Sequence, residues 1–340
     1  MAEDVAKRIA VIGAGAWGTT LARMLAAAGH PVTLWAHRPE AAAEMARDGE
    51  NRRYLPGHPF PSGLRVTGDA AELTEADRLY VLAVPSAHAR DTLRGVAHQL
   101  APGTPFLSVV KGIEAETQAR ISEVIGEETP GRPVAVLSGP NLAPEIAGGL
   151  PGGTVVASCD HELANDVAGT LGSDRFRVYT NPDVVGVELA GALKNVIALA
   201  AGMADGLRMG DSGKAAIITR GLAEMTRLGV AAGADPRTFA GLAGVGDLIA
   251  TCMSQLSRNR RAGELLASNL SWTDVAEKLG GVAEGETTVT GALALASRHG
   301  VEMPIAEQVD AVIHHGRSPL EAVATLMARS QKDELTGREA

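Results

Sequence analysis

The stretch RIAVIGAGAWGTTLARMLAAAGH, residues 8–30, constrains the fold more than any other part of the chain. A short run of small and β-branched apolar residues leads directly into Gly13, Gly15 and Gly18, and an Ala- and Leu-rich helical pattern follows without a break. The glycines stand at G-x-G-x-x-G spacing. In a strand–turn–helix setting the first permits the tight turn, the second lets a pyrophosphate approach the backbone, and the third lets helix and strand pack closely. The chain therefore opens as a dinucleotide-binding unit, with the pyrophosphate expected at the helix N-terminus.

Strand-like runs at residues 9–12, 32–35, 79–84, 106–110, 134–137, 154–157 and 176–179 alternate with amphipathic stretches such as TTLARMLAAAG, HARDTLRGVAHQL and HELANDVAGTLG. That alternation specifies a mainly parallel sheet with helices on its faces. After Tyr179 the strand signals stop. Asn181 reads as the N-cap of a long helix with Pro182 in its first turn. Further helices are expected at about 214–228, from Ser271 with Asp274 completing a capping arrangement, and after Pro304. The fold class is an α/β Rossmann-type N-terminal domain, residues 1–180, followed by an all-α C-terminal domain, residues 181–340, as the length of 340 residues allows.

The end of the second strand selects the dinucleotide. Where NAD binders commonly carry an Asp or Glu for the adenosine ribose, VTLWAHRPE offers Ala36, His37 and Arg38. Arg38 can meet a 2′-phosphate bidentately and no carboxylate repels it, so NADPH is expected as the preferred cofactor, with NADH as the lesser one. Later strand ends deliver Pro85, Lys111, Gly139 and Pro140 to the same sheet edge, where ligands of open parallel sheets bind.

In the helical half, ELAGALKNVIALAAG sets Lys194 and Asn195 in an otherwise apolar helix. A lysine there requires a partner, a tip that reaches solvent, or a task. LAGVGDLIATC places Asp247 in a glycine-rich turn, and SQLSRNRRAG gathers Ser257, Arg258, Asn259, Arg260 and Arg261 at a helix start, a suitable phosphate cradle. GDSGKA, residues 210–215, resembles a phosphate loop but has Arg208 and Ala215 where Gly and Ser or Thr belong, and reads as a plain loop.

Other classes are disfavoured. The net charge of −9 argues against a nucleic-acid partner or an anionic membrane surface. Cys159 and Cys252 stand far apart with no metal-ligand spacing, Cys252 reads as buried, and the adjacent His314 and His315 cannot share one helix face, so no metal site is expected. The N-terminus lacks the apolar core of a signal peptide, and residues 184–204, near spanning length, contain Glu188, Lys194 and Asn195, costly at bilayer depth. A cytoplasmic protein without membrane insertion is expected.

The motifs GAGAWGTTLA, NRRYLPG, KGIE, SGPNLAPE, VELAGALKNVIALAAG, GDSGKAAIITRGLAEM, GVGDLIATC, SRNRR and VAEGETT occur in this order. Together they resemble the bacterial NAD(P)-dependent glycerol-3-phosphate dehydrogenase family, from about residue 8 to about residue 320. The resemblance implies reversible reduction of dihydroxyacetone phosphate to sn-glycerol 3-phosphate, the backbone of phospholipids. It further implies that Lys194 is the proton-transferring lysine and that Asn195, Lys111 and Asp247 accompany it. Gly139, Asn141, Ser257, Arg258 and Asn259 would hold the substrate. Gly13, Gly15, Ala16, Trp17, Gly18, His37, Arg38, Tyr54, Lys111, Ala143, Arg258, Val282 and Glu284 would hold the cofactor, and a homodimer is an assembly compatible with the family. The chain departs from the usual pattern at Ala16, Asn141, Leu142 and Ala283, so altered fine geometry is expected there. Two other readings share parts of the pattern. A β-hydroxyacid-type dehydrogenase would keep the Lys–Asn pair but has no need of SRNRR, and a non-catalytic NADPH-binding sensor has no need of Lys194, Asn195 and Asp247 together.

Overall fold

The computed structural model describes residues 7–280 and 283–330. Among them, strands β1 (Ile9–Ile12), β2 (Val32–Trp35), β3 (Leu64–Thr67), β4 (Leu79–Leu82), β5 (Phe106–Ser108), β6 (Val134–Ser138), β7 (Gly152–Ala157) and β8 (Phe176–Asn181) form one sheet in the order 3-2-1-4-5-6-7-8. Every neighbouring pair is parallel except β6 and β7. The central strands are buried along their whole length, which is why they read as unbroken apolar runs. β3 escapes the sequence pattern because it is an edge strand, paired only with β2 and half-exposed. β4 and β5 end earlier than their apolar runs suggest, because Ala83–Val84 and Val109–Val110 already belong to the turns at the carboxyl edge.

Helices α1 (Ala16–Ala27), α2 (Pro39–Asp48), α3 (Ala89–Val96), α4 (Ile121–Glu128), α5 (Ala143–Ala147) and α6 (His161–Leu171) accompany the sheet. They bury one apolar cluster on each of its faces, one around Leu21, Leu25, Val11 and Val81, the other around Ile12, Tyr80, Leu93 and Phe106. The helical half contains α7 (Val184–Gly206), α8 (Gly210–Ala231), α9 (Pro236–Phe239), α10 (Asp247–Met253), α11 (Arg258–Leu266), α12 (Trp272–Leu279), α13 (Gly285–His299), α14 (Pro304–His314) and α15 (Pro319–Met327). α7 is apolar on all sides and runs through their centre, as a helix without a polar face must. It is long and apolar enough to cross a membrane, but most of it is buried in protein.

Three local expectations need correction. The N-cap of α7 is Asp183, whose carboxylate accepts from the Gly186 amide at 2.9 Å, while Asn181 ends β8 and accepts from the Asp183 amide. Pro182 therefore sits in the connection, two residues before the helix. GDSGKA is no loop but the first turns of α8, because Lys214 is drawn inward onto Asp205 at 2.8 Å. Asp247 lies at the junction of a π-helical turn, Leu242–Gly246, and α10, where Gly244 lies against the Phe239 backbone. The capping box at Ser271 and the helix from Pro304 are present.

The two halves are joined through the site's own walls. Glu188 near the start of α7 accepts from Arg120 at 2.7 Å and from the Ser122 amide at 2.8 Å, and Ile113, from the loop after β5, is buried in the helical core.

Candidate active site

At the carboxyl edge of the sheet, Gly13 turns with φ +114°, and a Cβ there would lie 2.5 Å from the Ala83 carbonyl oxygen. A Cβ on Gly18 would lie 2.1 Å from the Gly13 carbonyl oxygen. Both positions therefore demand glycine for packing. Gly15 differs, since no described residue lies within 4 Å of the space its Cβ would occupy, and as N-cap of α1 it leaves the first turn without a side-chain cap or an acidic residue. Exposed backbone, first-turn amides and the positive end of the helix dipole fit the pyrophosphate of a dinucleotide.

Other cofactor candidates surround this turn. Ala16 and Trp17 open α1, and Trp17 tilts against Phe176 with its indole Nε1 buried and without a hydrogen-bond partner among the described residues. His37 and Arg38 are exposed beyond β2, and Arg38 has no carboxylate in ion-pair range among the described residues. The exposed Tyr54 ring lies under Arg53, and Ala143 accepts through its carbonyl from Thr20 of α1. The sequence reading missed Asn51: its amide donates to the Ala14 carbonyl at 2.9 Å and to Thr19 Oγ1 at 2.8 Å, tying NRRYLPG to the glycine turn. Val282 lies outside the described residues.

Lys194 is 6 % exposed, and its partner is Asp247, 1 % exposed. The other oxygen of that carboxylate accepts from Lys111 Nζ at 2.7 Å, so one buried carboxylate holds two ammonium groups from different domains. Lys111 Nζ also donates to the Gly139 carbonyl at 2.9 Å, and Lys194 Nζ to Thr251 Oγ1 at 2.7 Å. The Thr251 hydroxyl in turn donates to the Asp247 backbone carbonyl at 2.6 Å. It too was missed, although it lies one helical turn after Asp247 within DLIATC, a spacing that puts both on one face. An ammonium has three N–H groups, and each lysine uses two here, leaving one apiece for a ligand.

Burial pushes Lys194 down to about 8, with Lys111 adding like-charge repulsion and Asp247 opposing both. Glu284, half-buried at the start of α13, has its carboxyl raised by burial and drawn back by Arg258, Lys111, Lys194 and the Ser86 amide. It is electrostatically coupled to all three cations of the site. Cys252 is fully buried, and burial pushes its thiol up to about 12, an unreactive state.

The two asparagines form a relay. Asn195 donates to the Lys111 carbonyl at 3.2 Å and accepts from Asn259 at 3.0 Å, and Asn259 accepts from the Gly285 amide at 3.0 Å. Four elements are thereby pinned around the lysines. Ser257 is the N-cap of α11, accepting from the Arg260 amide at 3.2 Å. Arg258, next to it, is exposed and unpaired with any carboxylate among the described residues, whereas Arg260 is buried and ion-paired. The side chain of Asn141 faces β7, bonded to Thr154 Oγ1 and the Gly153 carbonyl, so a ligand would meet this residue through its backbone.

A glycine turn fit for a dinucleotide on the edge of a mainly parallel sheet, together with a buried lysine whose proton affinity is lowered by burial and partly restored by a carboxylate, defines a two-domain nicotinamide-dependent oxidoreductase. Comparison with known proteins narrows the class. The N-terminal and C-terminal domains of NAD-dependent glycerol-3-phosphate dehydrogenase match residues 8–164 and 183–324, and the chain belongs to this family. It is 49% identical over 327 residues to the glycerol-3-phosphate dehydrogenase [NAD(P)+] of Moorella thermoacetica, covering 96% of this chain and 97% of that one. Its counterpart from Thermobifida fusca is 49% identical over 333 residues, covering 97% and 99%. The crystal structure of glycerol-3-phosphate dehydrogenase from Coxiella burnetii superposes with a TM-score of 0.92 at 38% identity, covering 95% of this chain and 99% of that one.

Proposed function

We propose that this chain catalyses the reversible NAD(P)H-dependent reduction of dihydroxyacetone phosphate to sn-glycerol 3-phosphate, with Lys194 as the proton-transferring residue. The observation that carries this assignment of roles is the Lys194–Asp247–Lys111 cluster, whose Lys111 follows β5 at the same carboxyl edge of the sheet as the glycine turn after β1. When held by the glycine turn after β1, the nicotinamide cofactor would supply or accept the hydride. Negative charge then grows on the substrate oxygen, and Lys194 donates its proton there in reduction and recovers it in oxidation. A lysine near pH 8 can serve both directions. Asp247 and Thr251 aim the Lys194 ammonium, while the remaining N–H of Lys111 orients the carbonyl or a neighbouring hydroxyl.

Arg258, the Ser257 hydroxyl and the first turn of α11 are assigned to the substrate phosphate, supported by the free guanidinium beside a helix N-terminus. Arg38 is assigned to the 2′-phosphate of NADPH, which makes NADPH the preferred cofactor and NADH the weaker one. A cytoplasmic location is in keeping with two free thiols, Cys159 exposed and Cys252 buried. Homodimerisation belongs to the same reading, supported by the exposed Leu320 and Met327 of α15 and tested by sedimentation.

The test is loss of NADPH absorbance on addition of dihydroxyacetone phosphate, repeated with NADH. Arg258→Ala should cost about 1.5–3 kcal/mol, roughly 10- to 160-fold in kcat/KM on the phosphorylated substrate. It should leave the feeble turnover of unphosphorylated dihydroxyacetone nearly unchanged. Equal losses on both substrates would remove Arg258 from the phosphate site.

A further inference from the structure

We propose that Arg260, acting through Asp205, is a positioning residue that sets the register between the phosphate cradle on α11 and Lys194 on α7; this rests on the reading of Ser257 and Arg258 as that cradle. The motif SRNRR offers neighbouring arginines, and the structure gives them opposite surroundings. Arg258 is exposed, while Arg260 is 5 % exposed, with Nε 2.7 Å from Asp205 Oδ2 and Nη2 2.9 Å from Glu264 Oε1. Lys214, from the stretch that resembled a phosphate loop, donates to the same Asp205 oxygen at 2.8 Å.

The contact that this cluster borders explains the need for it. A Cβ on Gly202 of α7 would lie 1.9 Å from the Arg260 carbonyl oxygen, and one on Gly263 of α11 would lie 2.1 Å from the Leu199 carbonyl oxygen. The two helices thus touch backbone to backbone. A contact this close leaves little slack, so the ion pair at its edge acts with the Asn195–Asn259 hydrogen bond to hold α11 in the sliding register at which those glycines fit. A forked ion pair at one point specifies it sharply, because a guanidinium meets a carboxylate in few geometries. Two cations and two carboxylates cancel in charge, so the cluster contributes geometry and not field to the phosphate. Asp205 and Lys194 share one rigid helix, about 16 Å apart along its axis at 1.5 Å per residue. Arg258 lies two residues before Arg260, so sliding of α11 changes the span between phosphate and carbonyl directly.

The test uses Arg260→Met, which removes the fork while Asp205 stays paired with Lys214, and Asp205→Glu, which keeps every charge but lengthens the arm. Arg258→Ala is measured in parallel, and folding is followed by thermal melting and NADPH binding. Both positioning variants should lower kcat/KM for dihydroxyacetone phosphate by up to about 10²-fold, the scale of an ångström-level misplacement. Turnover of unphosphorylated dihydroxyacetone should change far less, and Arg260→Lys should recover part of the loss. Equal losses on both substrates, or none, while Arg258→Ala remains selective, would overturn the positioning role alone. If Arg258→Ala itself is unselective, the phosphate reading falls and this proposal falls with it.

Discussion

Replacing Asp247 with Asn tests the site at its centre, because that carboxylate holds both lysines at 1 % exposure. At hydrogen-bond separation, opposite unit charges attract by about 5 kcal/mol at an effective dielectric near 20, equivalent to about 4 pKa units. The Asn carbonyl can still accept from Lys194, which offsets part of that loss, so the Lys194 value should fall by roughly 2 units. Lys194, held at about 8, would then titrate near 6. In reduction the lysine must enter protonated. The limb on which reductive kcat falls with rising pH should therefore move down by about 2 pH units, a loss of roughly 10-fold at pH 7 and more at pH 8. The oxidative direction, which needs the neutral amine, should gain activity at lower pH instead. Asn keeps the size of the side chain, and neutralisation of Lys194 relieves the buried charge left behind, so the variant should fold. The assay is NADPH oxidation and its reverse, from pH 5.5 to 9.5, with kcat and KM separated because Lys111 is also released. A profile that keeps its midpoint, or a loss of equal size at every pH, would refute the assignment. Lys194→Ala supplies the control: about 10²- to 10⁴-fold lower kcat with the limb abolished and NADPH binding retained.

Arg38→Asp should weaken NADPH through repulsion of the 2′-phosphate and spare NADH, read as the ratio of the two KM values; equal changes would leave Arg38 as a loop residue. Glu224, 2 % exposed, caps the start of α14 by accepting from the Ile305 amide at 2.8 Å, yet burial raises its carboxyl to about 7. The native state then holds a proton that the unfolded chain releases above about pH 4.5, so stability should decline as pH rises from 4.5 to 7, by up to about 3 kcal/mol. Glu224→Gln should flatten that slope in urea titrations, and an unchanged slope would assign it to other groups.

Much of the molecule is legible in one dimension because the relevant physics is local. Glycine spacing, apolar periodicity and caps act within a few residues, so the glycine turn, the buried strands, α7 and the Ser271 capping box follow from neighbouring side chains. Edge strand β3 and the Asp183 cap do not, since one depends on a partner strand and the other on where the chain leaves the sheet. The question raised by Lys194 could be posed from sequence but not answered. Its partner Asp247 lies 53 residues away, and Lys111 reaches the same carboxylate from the other domain across 136 residues. The sequence likewise brings three arginines together in SRNRR, but only the packing of α11 on α7 turns Arg260 inward to Asp205 and leaves Arg258 exposed. Pattern determines which faces are apolar, whereas the docking of those faces decides which charges meet. Electrostatic partnership falls off over a few ångströms of space and is indifferent to separation along the chain, and for that reason the chemistry of this site belongs to the tertiary structure.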